Sequence, residues 1–483
     1  MVIDALKYQI LQQFGFVPTE EQGQALDAFA RFLTDRDPDA VMILRGSAGT
    51  GKTSLSGAIV RTLKAIRQKV MLLAPTGRAA KVFSLNSGCP AYTIHRRIYR
   101  EKSFAGVDGQ FYLNDNLFTD TLFMVDEASM ISNLGFGGGN FGSGCLLDDL
   151  VRFVYQGHND RLMLIGDKAQ LPPVGEEESP ALNRMMLEGY GLKVYECDLN
   201  EVLRQSQESG ILYNATVIRQ MITHDDITQL PLIRFKGFAD IVMMPGNELV
   251  ESLANSYYRV GWDETMVITR SNKRANIYNN GIRNMVLDRE EELSCGDMLM
   301  IVKNNYFWTE KERNEAKEAL NAIPPFLANG DRAKVLRVSR HMELYGFRFA
   351  TLLLQFPDYD NYEMSVTALL DTLQSEAPAL THEQQEQLFH GVEEDYQDVP
   401  LKADRMKAIR GDQYFNALQV KYAYAITCHK AQGGQWEHVY VDQGYMTDDM
   451  LTPDYIHWLY TAFTRAKDKL FLVNWPKTQT EQA

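Results

Sequence analysis

At 483 residues the chain exceeds one ordinary core, and on size alone about two to four domains are expected. Its 45% hydrophobic and 23% charged residues are those of a globular protein, and no apolar run reaches the ~20 residues of a membrane span. The net charge of −14 excludes a broad basic surface that wraps nucleic acid, so any phosphate contact must be local.

Residues 1–15 carry acid and amide side chains rather than a signal-peptide pattern. The five cysteines, Cys89, Cys145, Cys197, Cys295 and Cys428, form no C-x-x-C pair, which argues against a zinc site or a disulfide framework. A cytoplasmic, reduced environment without membrane association is the expectation.

The first strand signal is the apolar run 41–44, followed at once by Gly46-Ser47-Ala48-Gly49-Thr50-Gly51-Lys52-Thr53. The spacing is that of a phosphate-binding loop between a strand and a helix over 54–67. Its glycines let backbone N–H groups converge on phosphate, Lys52 reaches the β and γ oxygens, and the Thr53 hydroxyl can ligate Mg²⁺. A second run, 122–125, ends in Asp126-Glu127, which puts two carboxylates at a strand's C-terminal edge. Asp126 suits Mg²⁺, and Glu127 suits a base that orients the attacking water of a hydrolysable nucleotide.

Strand runs at 41–44, 70–74, 122–125, 162–165 and 194–197 alternate with helical stretches, the pattern of a doubly wound parallel sheet. After about residue 210 a second α/β layer begins, with runs at 241–244, 266–269, 298–302, 423–427, 439–441 and 470–473. Inside it, 334–338 and 349–356 alternate in a β manner and precede a stretch rich in Glu and Gln over 375–397, read as an acidic, partly helical or mobile excursion. The glycine-rich 135–144 reads as a flexible loop near the acidic pair. Two layers imply a nucleotide cleft that opens and closes, with the second layer supplying cations to the γ-phosphate. Arg204 and Arg465 are candidates, because a guanidinium fork spreads charge over equatorial phosphate oxygens. From the residues alone either is equally well a structural ion-pair partner. The basic clusters Arg78 with Lys81, Arg96 to Lys102, and Arg270 to Arg274 read individually as solvated helix faces.

The order of Gln22, the loop 46–53, Pro75-Thr76-Gly77-Arg78, Thr93-Ile94-His95, Asp126-Glu127, Asp167-Lys168-Ala169-Gln170-Leu171-Pro172-Pro173, Leu203-Arg204-Gln205, Thr427-Cys428-His429-Lys430 and Thr461-Ala462-Phe463-Thr464-Arg465 resembles the motif series of superfamily 1 helicases. Within them it is similar to the RecD-like and Dda-type group, which moves 5′ to 3′, and the resemblance spans about residues 18–475. It implies an α/β fold of two RecA-like, doubly wound parallel-sheet domains of the P-loop NTPase class, with small β insertions, one of them SH3-like. The domains expected are 1–210, with a hairpin insertion at about 99–120; 211–333 together with 415–483; and an SH3-like insertion with its acidic excursion over 334–414.

The resemblance also implies roles. ATP and Mg²⁺ are the cofactors. Gln22 reads the adenine edge, residues 46–53 (Gly46, Ser47, Ala48, Gly49, Thr50, Gly51, Lys52 and Thr53) hold the phosphates, and Thr53 with Asp126 holds the metal. Lys52, Glu127 and Gln170 act on the γ-phosphate together with Arg204 and Arg465 as arginine fingers. Thr76, Arg78, His95, Thr427, His429 and Lys430 lie along single-stranded DNA. By residues alone, His429 reads as a buried or capping histidine. Relatives carry a duplex-splitting hairpin between His95 and Leu122, and Phe111, with Tyr112 second, is the ring expected at its tip, although aromatics there equally suit a minor core. The chain departs from the pattern in the 135–144 loop and in the length of the acidic excursion. The implied activity is ATP-dependent 5′-to-3′ DNA unwinding by a monomer. The implied partners are single-stranded DNA, single-strand/duplex junctions and repair or replication proteins. An RNA helicase of the same superfamily, or a DNA-stimulated ATPase module without unwinding, is the alternative.

Overall fold

The computed structural model describes residues 2–105, 108–135, 142–201, 208–224, 227–315, 323 and 326–481, with the backbone course alone for 2, 101–105 and 108–111. Strand β1 (Ala40–Gly46) is buried along its whole length because its side chains alternate between two cores. Met42 and Leu44 enter one with helices Glu20–Thr34 and Lys52–Ala65, whereas Val41 and Ile43 enter the other with helix Leu146–Tyr155. A strand covered on both faces needs a continuous apolar run rather than an alternating one.

The same division recurs in the rest of the first sheet, which comprises β2 (Lys69–Ala74), β3 (Ala91–Thr93), β6 (Thr121–Val125), β7 (Arg161–Gly166) and β8 (Lys193–Leu199). Between β3 and β6 the chain makes an antiparallel hairpin of β4 (Tyr99–Ala105) and β5 (Asp108–Leu113), in which Glu101 opposes Phe111. The sheet is parallel with the order β3-β2-β6-β7-β1-β8, a doubly wound RecA-like lobe.

The second RecA-like lobe begins with β9 (Ile241–Met244) and β10 (Thr265–Thr269). The chain then leaves it for a closed barrel of β11 (Met298–Ile301), β12 (Arg332–Leu344), β13 (Phe347–Phe356), β14 (Tyr362–Leu369) and β15 (Leu418–Tyr422). It returns as β16 (Ala425–Thr427), β17 (Trp436–Asp442) and β18 (Ala466–Val473), giving the parallel order β16-β10-β17-β18-β9. The long β12–β13 hairpin turns at Tyr345 (φ 58°) and Gly346 (φ 79°), two consecutive left-handed residues of the kind that match strand twist.

One strand lies elsewhere than its sequence suggests. The 298–302 run, expected in the second parallel layer, is β11 of the barrel and pairs antiparallel with β12 and β15. Likewise β15 lies beyond residue 414, where the inserted β unit was expected to end, so the barrel draws on sequence from both sides of the 334–414 segment. A four-residue, fully buried apolar run has no periodicity that distinguishes the two environments. The acidic excursion contains helices His382–Asp395 and Lys402–Arg410. Leu388, Phe389, Val392 and Ile409 from these helices form a small core with Phe347 and Phe349 of β13. Residues 136–141 of the expected glycine-rich loop lie outside the described residues.

The junction of lobe and barrel is held by Asp297, which is fully buried just before β11. It accepts both arms of Arg283 at 3.0 Å, Arg289 at 2.8 Å, the Ser294 amide at 2.7 Å and the Tyr424 hydroxyl at 3.0 Å. Replacing Asp297 by Ala leaves the buried Arg283 guanidinium without its counter-charge, a loss of about 3–5 kcal/mol. Chemical denaturation of Asp297→Ala should show a loss of that size, and a change below ~1 kcal/mol would contradict this account of the junction.

Candidate nucleotide site and nucleic-acid track

Gly49 (φ 77°) and Gly51 (φ 75°) are both left-handed, and a side chain on Gly46 would stand 2.9 Å from Thr50 Oγ1. The loop therefore needs these glycines to wrap its backbone around one centre. Helix Lys52–Ala65 starts from Gly51 with no side-chain cap, so its first N–H groups are directed toward an anion. Lys52 Nζ donates to the Gly46 carbonyl at 2.8 Å, folded back over the loop, and Thr53 is exposed at its rim. Gln22 closes a capping box with Thr19 and donates from Nε2 to the Thr50 carbonyl at 2.9 Å. One side chain thus fixes a helix start and the loop's outer turn.

On one side of β1 in the sheet, β7 and then β6 deliver the acids. Asp126 follows β6 and accepts the Glu127 amide at 2.9 Å. Burial, reinforced by the adjacent Glu127 charge and opposed by Lys52, raises its carboxyl above the usual range. Glu127 is left-handed (φ 52°), a conformation that costs a non-glycine residue on the order of 1 kcal/mol and here turns the side chain inward. Its Oε2 is buried without a partner, as is Oε1 of Gln170. Such atoms are paired in nearly all native interiors, so the two mark a place where a polar ligand belongs.

The second lobe meets this site through helix Pro453–Phe463. The Ala48 amide of the phosphate loop donates to Tyr460 Oη at 3.0 Å, and Tyr460 Oη donates to Asp167 Oδ2 at 2.7 Å. Burial raises the Asp167 carboxyl, while Lys52 and the Tyr460 bond draw it down. Beside this chain, the Leu171 amide donates to Thr461 Oγ1 at 2.8 Å, and Gln432 Nε2 donates to the Leu171 carbonyl at 2.7 Å. His457 Nδ1 lies 3.0 Å from the Ala169 carbonyl. Arg465 is 3% exposed and donates to Thr461 O, Gly434 O and Thr464 Oγ1, all in its own lobe. Arg204 lies outside the described residues. Asp167 was legible only as a member of a motif, with no role of its own; Tyr460 stands just outside the 461–465 run, and Arg219, which donates to Ser47 Oγ, carries no motif signal.

The residues expected along a nucleic acid follow β2 and β3 of the first sheet and β16 of the second. Thr76 caps helix Gly77–Ser87 after β2, accepting the Ala79 amide at 3.2 Å, and His95 follows β3. His95 packs against Tyr99, and burial lowers its pKa to about 4, so it is neutral near pH 7. Thr427, the exposed His429 and Lys430 lie on or next to the turn Cys428–Ala431 after β16, and burial lowers Lys430 to about 8. The two sets meet: a side chain on Gly433 would stand 3.2 Å from Thr76 Oγ1 and 3.0 Å from Ala79 Cβ. Arg78 turns to the second lobe, with its guanidinium carbon 4.4 Å from the centre of the Trp436 ring and Nη2 donating to the Gln435 carbonyl at 2.9 Å. The side chain of Phe111 lies outside the described residues, and Tyr112 is 42% exposed.

Residues 19–228 match the AAA domain family, and residues 422–473 match the UvrD-like helicase C-terminal domain. The ATP-dependent RecD2 DNA helicase of Deinococcus radiodurans is 30% identical over 158 residues, 32% of this chain and 18% of that protein. Uncharacterized protein MJ1519 of Methanocaldococcus jannaschii is 34% identical over 171 residues, 33% of this chain and 14% of that protein. Uncharacterized protein R530 of Acanthamoeba polyphaga mimivirus is 21% identical over 497 residues, 89% of this chain and 94% of that protein. The chain thus aligns with only a small part of two of these relatives. A crystal structure of a Bacteroides Pif1 helicase with ADP-AlF3 and single-stranded DNA is 14% identical, with a TM-score of 0.46, covering 97% of this chain and 95% of that one. The fold and the site define a two-lobed P-loop NTPase. Its motif order and the two family matches resemble those of superfamily 1 helicases. No helix among the described residues is long and apolar enough to cross a membrane.

Tyr460→Phe removes one oxygen and strands both the Ala48 amide and a buried Asp167 oxygen, at about 1–3 kcal/mol. Thermal denaturation of Tyr460→Phe without nucleotide should report that loss, whereas unchanged stability would mean that the hydroxyl does not join the lobes.

Proposed function

We propose that the protein is an ATP-driven helicase that moves 5′ to 3′ along single-stranded DNA and separates duplex ahead of it. The observation that carries the reading is the Ala48–Tyr460–Asp167 chain, which makes the phosphate loop itself part of the contact between lobes. Whatever fills the loop competes for the Ala48 amide and so acts on the position of the second lobe. Strand order supports a separate track, since the nucleotide groups follow β1, β6 and β7 while Thr76 and His95 follow β2 and β3.

In this mechanism Lys52 leaves the Gly46 carbonyl for the β and γ oxygens, and the amides of the loop take the rest of the phosphate charge. Asp126 and the Thr53 hydroxyl would hold Mg²⁺, which would neutralise charge on the substrate phosphates. Glu127 accepts a hydrogen bond from the attacking water through its unpartnered Oε2, and Gln170 senses the terminal phosphate by donating from its amide Nε2. Gln22 reads the adenine edge, and Arg204 and Arg465 act as arginine fingers; Arg465 must first exchange its acceptors inside the second lobe for phosphate. Thr76, Arg78, His95, Thr427, His429 and Lys430 follow the strand, and Phe111, which opposes Glu101 nearer the base of the β4–β5 hairpin than its turn, meets the duplex.

Single-stranded DNA should stimulate ATP turnover, and a 5′-tailed duplex should open while a 3′-tailed one does not. A stimulated ATPase that opens neither would leave an ATPase module, and preference for an RNA strand would change the track. Lys52→Ala should abolish turnover, whereas Glu127→Gln should keep ATP binding and slow hydrolysis by about 10²-fold or more. A wild-type rate in Glu127→Gln would remove Glu127 as the base. Despite the charge of −14, strand affinity should fall steeply between 50 and 200 mM salt, because the phosphate contacts are concentrated in one channel. Phe111→Ala should spare DNA-stimulated ATPase and reduce strand separation. Loss of both together with thermal stability would make the ring a core residue.

A further inference from the structure

Arg219 is a second-lobe guanidinium that touches the phosphate loop. It lies on helix Gly210–Thr223, which packs against helix Pro453–Phe463, and its Nη1 donates to Ser47 Oγ. Nη1 and Nη2 also approach the Asn200 carbonyl at 3.3 and 3.4 Å. That segment is fixed by Glu21, whose Oε2 accepts the Asn200 and Glu201 amides at 2.5 and 2.7 Å. Among the described residues Arg219 therefore bonds a hydroxyl and a carbonyl, both neutral. A guanidinium has five N–H donors and a permanent charge, so this set leaves donors unused and the charge without a counter-ion.

Arg219 borders a cavity of ≈ 430 Å³ between the start of the phosphate loop and the second lobe, which Gly46 and Ser47 line together with the cations Arg45 and Lys168 and the acids Asp167, Glu177, Glu178 and Asp198. The first phosphates of a nucleotide lie over the loop's glycine amides and the helix start, enclosed by the first lobe. A last phosphate reaching past the loop would meet the second lobe on the side where Ser47 and Ala48 touch Arg219 and Tyr460. Arg465, by contrast, is 3% exposed with its guanidinium bonded inside its own lobe.

We propose that Arg219 binds the terminal phosphate of the nucleotide, exchanging Ser47 Oγ and the Asn200 carbonyl for phosphate oxygens, so that the second lobe distinguishes a triphosphate from a diphosphate. The inference rests on the ATPase reading. It adds a group that touches substrate, carried by a helix in which no motif marks it.

The test measures Mg²⁺-dependent binding of ADP and of the non-hydrolysable triphosphate AMP-PNP to the full chain and to Arg219→Ala, Arg219→Gln and Arg219→Lys. Arg219→Ala and Arg219→Gln should weaken AMP-PNP about tenfold or more while ADP changes by less than about threefold, and Arg219→Lys should keep more of the preference than Arg219→Gln. Equal losses for both nucleotides, or no loss, would overturn the assignment. So would rescue by Gln equal to that by Lys, since a neutral donor to Ser47 would then suffice and Arg219 would be a strut between lobes. Thermal melts accompany each variant; if Arg219→Ala fails to fold, the longer Gln and Lys side chains carry the comparison. A wild-type chain that binds neither nucleotide overturns the ATPase reading and this assignment together, whereas wild-type binding with unchanged variants overturns this assignment alone.

Discussion

A single hydroxyl holds the seam between the two lobes at the point where phosphate binds. Tyr460 Oη accepts the Ala48 amide and donates to Asp167, so the loop, the acidic end of β7 and the second lobe share one hydrogen-bonded chain. Each such bond contributes about 1 kcal/mol net, but leaving its buried partners unpaired costs more than that. The seam is therefore stiff while intact and switchable by anything that offers Ala48 a better acceptor. A phosphate oxygen is such an acceptor, because charge-assisted bonds are about twice as strong as neutral ones.

The remaining seam contacts have the same character. Leu171 uses both its amide and its carbonyl on the second lobe, and His457 lies against the Ala169 carbonyl. These are backbone groups of the segment after Asp167, so the seam reads the path of that segment more than its side chains. Gln170 lies within it with Oε1 buried and unpartnered, directed by its neighbours' bonds to the other lobe. Leu171, the next residue, bonds Thr461 and Gln432 of the second lobe.

The barrel contacts the helix that Thr76 caps. Asp331, beside β12, accepts the Ala328 amide and the Tyr359 hydroxyl at 2.7 Å, and burial pushes its carboxyl up to about 7. A side chain on Gly77 would stand 2.8 Å from Asp331 Oδ1, so the absence of one lets the barrel reach the start of the 77–87 helix. Lys81 of that helix donates to the Pro357 carbonyl at 3.1 Å and pairs with Asp358 at 3.5 Å. The barrel is continuous with the second lobe through Asp297, which makes Gly77 and Lys81 points where that lobe meets the expected track.

The sequence alone determined the phosphate loop, the acid pair and the continuous apolar runs of the first sheet. Each is a local consequence of a few consecutive residues: glycines that permit left-handed backbone, acids that end a strand, and β-runs buried on both faces. It did not determine where 298–302 pairs, because four buried apolar residues suit a barrel as well as a parallel sheet. Nor did it separate the bonded role of Arg465 from its expected one, since the acceptors around a guanidinium come from residues such as Gly434, 31 positions away. Arg219 and Ser47 are 172 positions apart, and only the packing of helix 210–223 against helix 453–463 brings them into contact. What a short motif does by its own backbone geometry is legible in order and spacing. What two lobes do to one another depends on distances that only the folded chain sets.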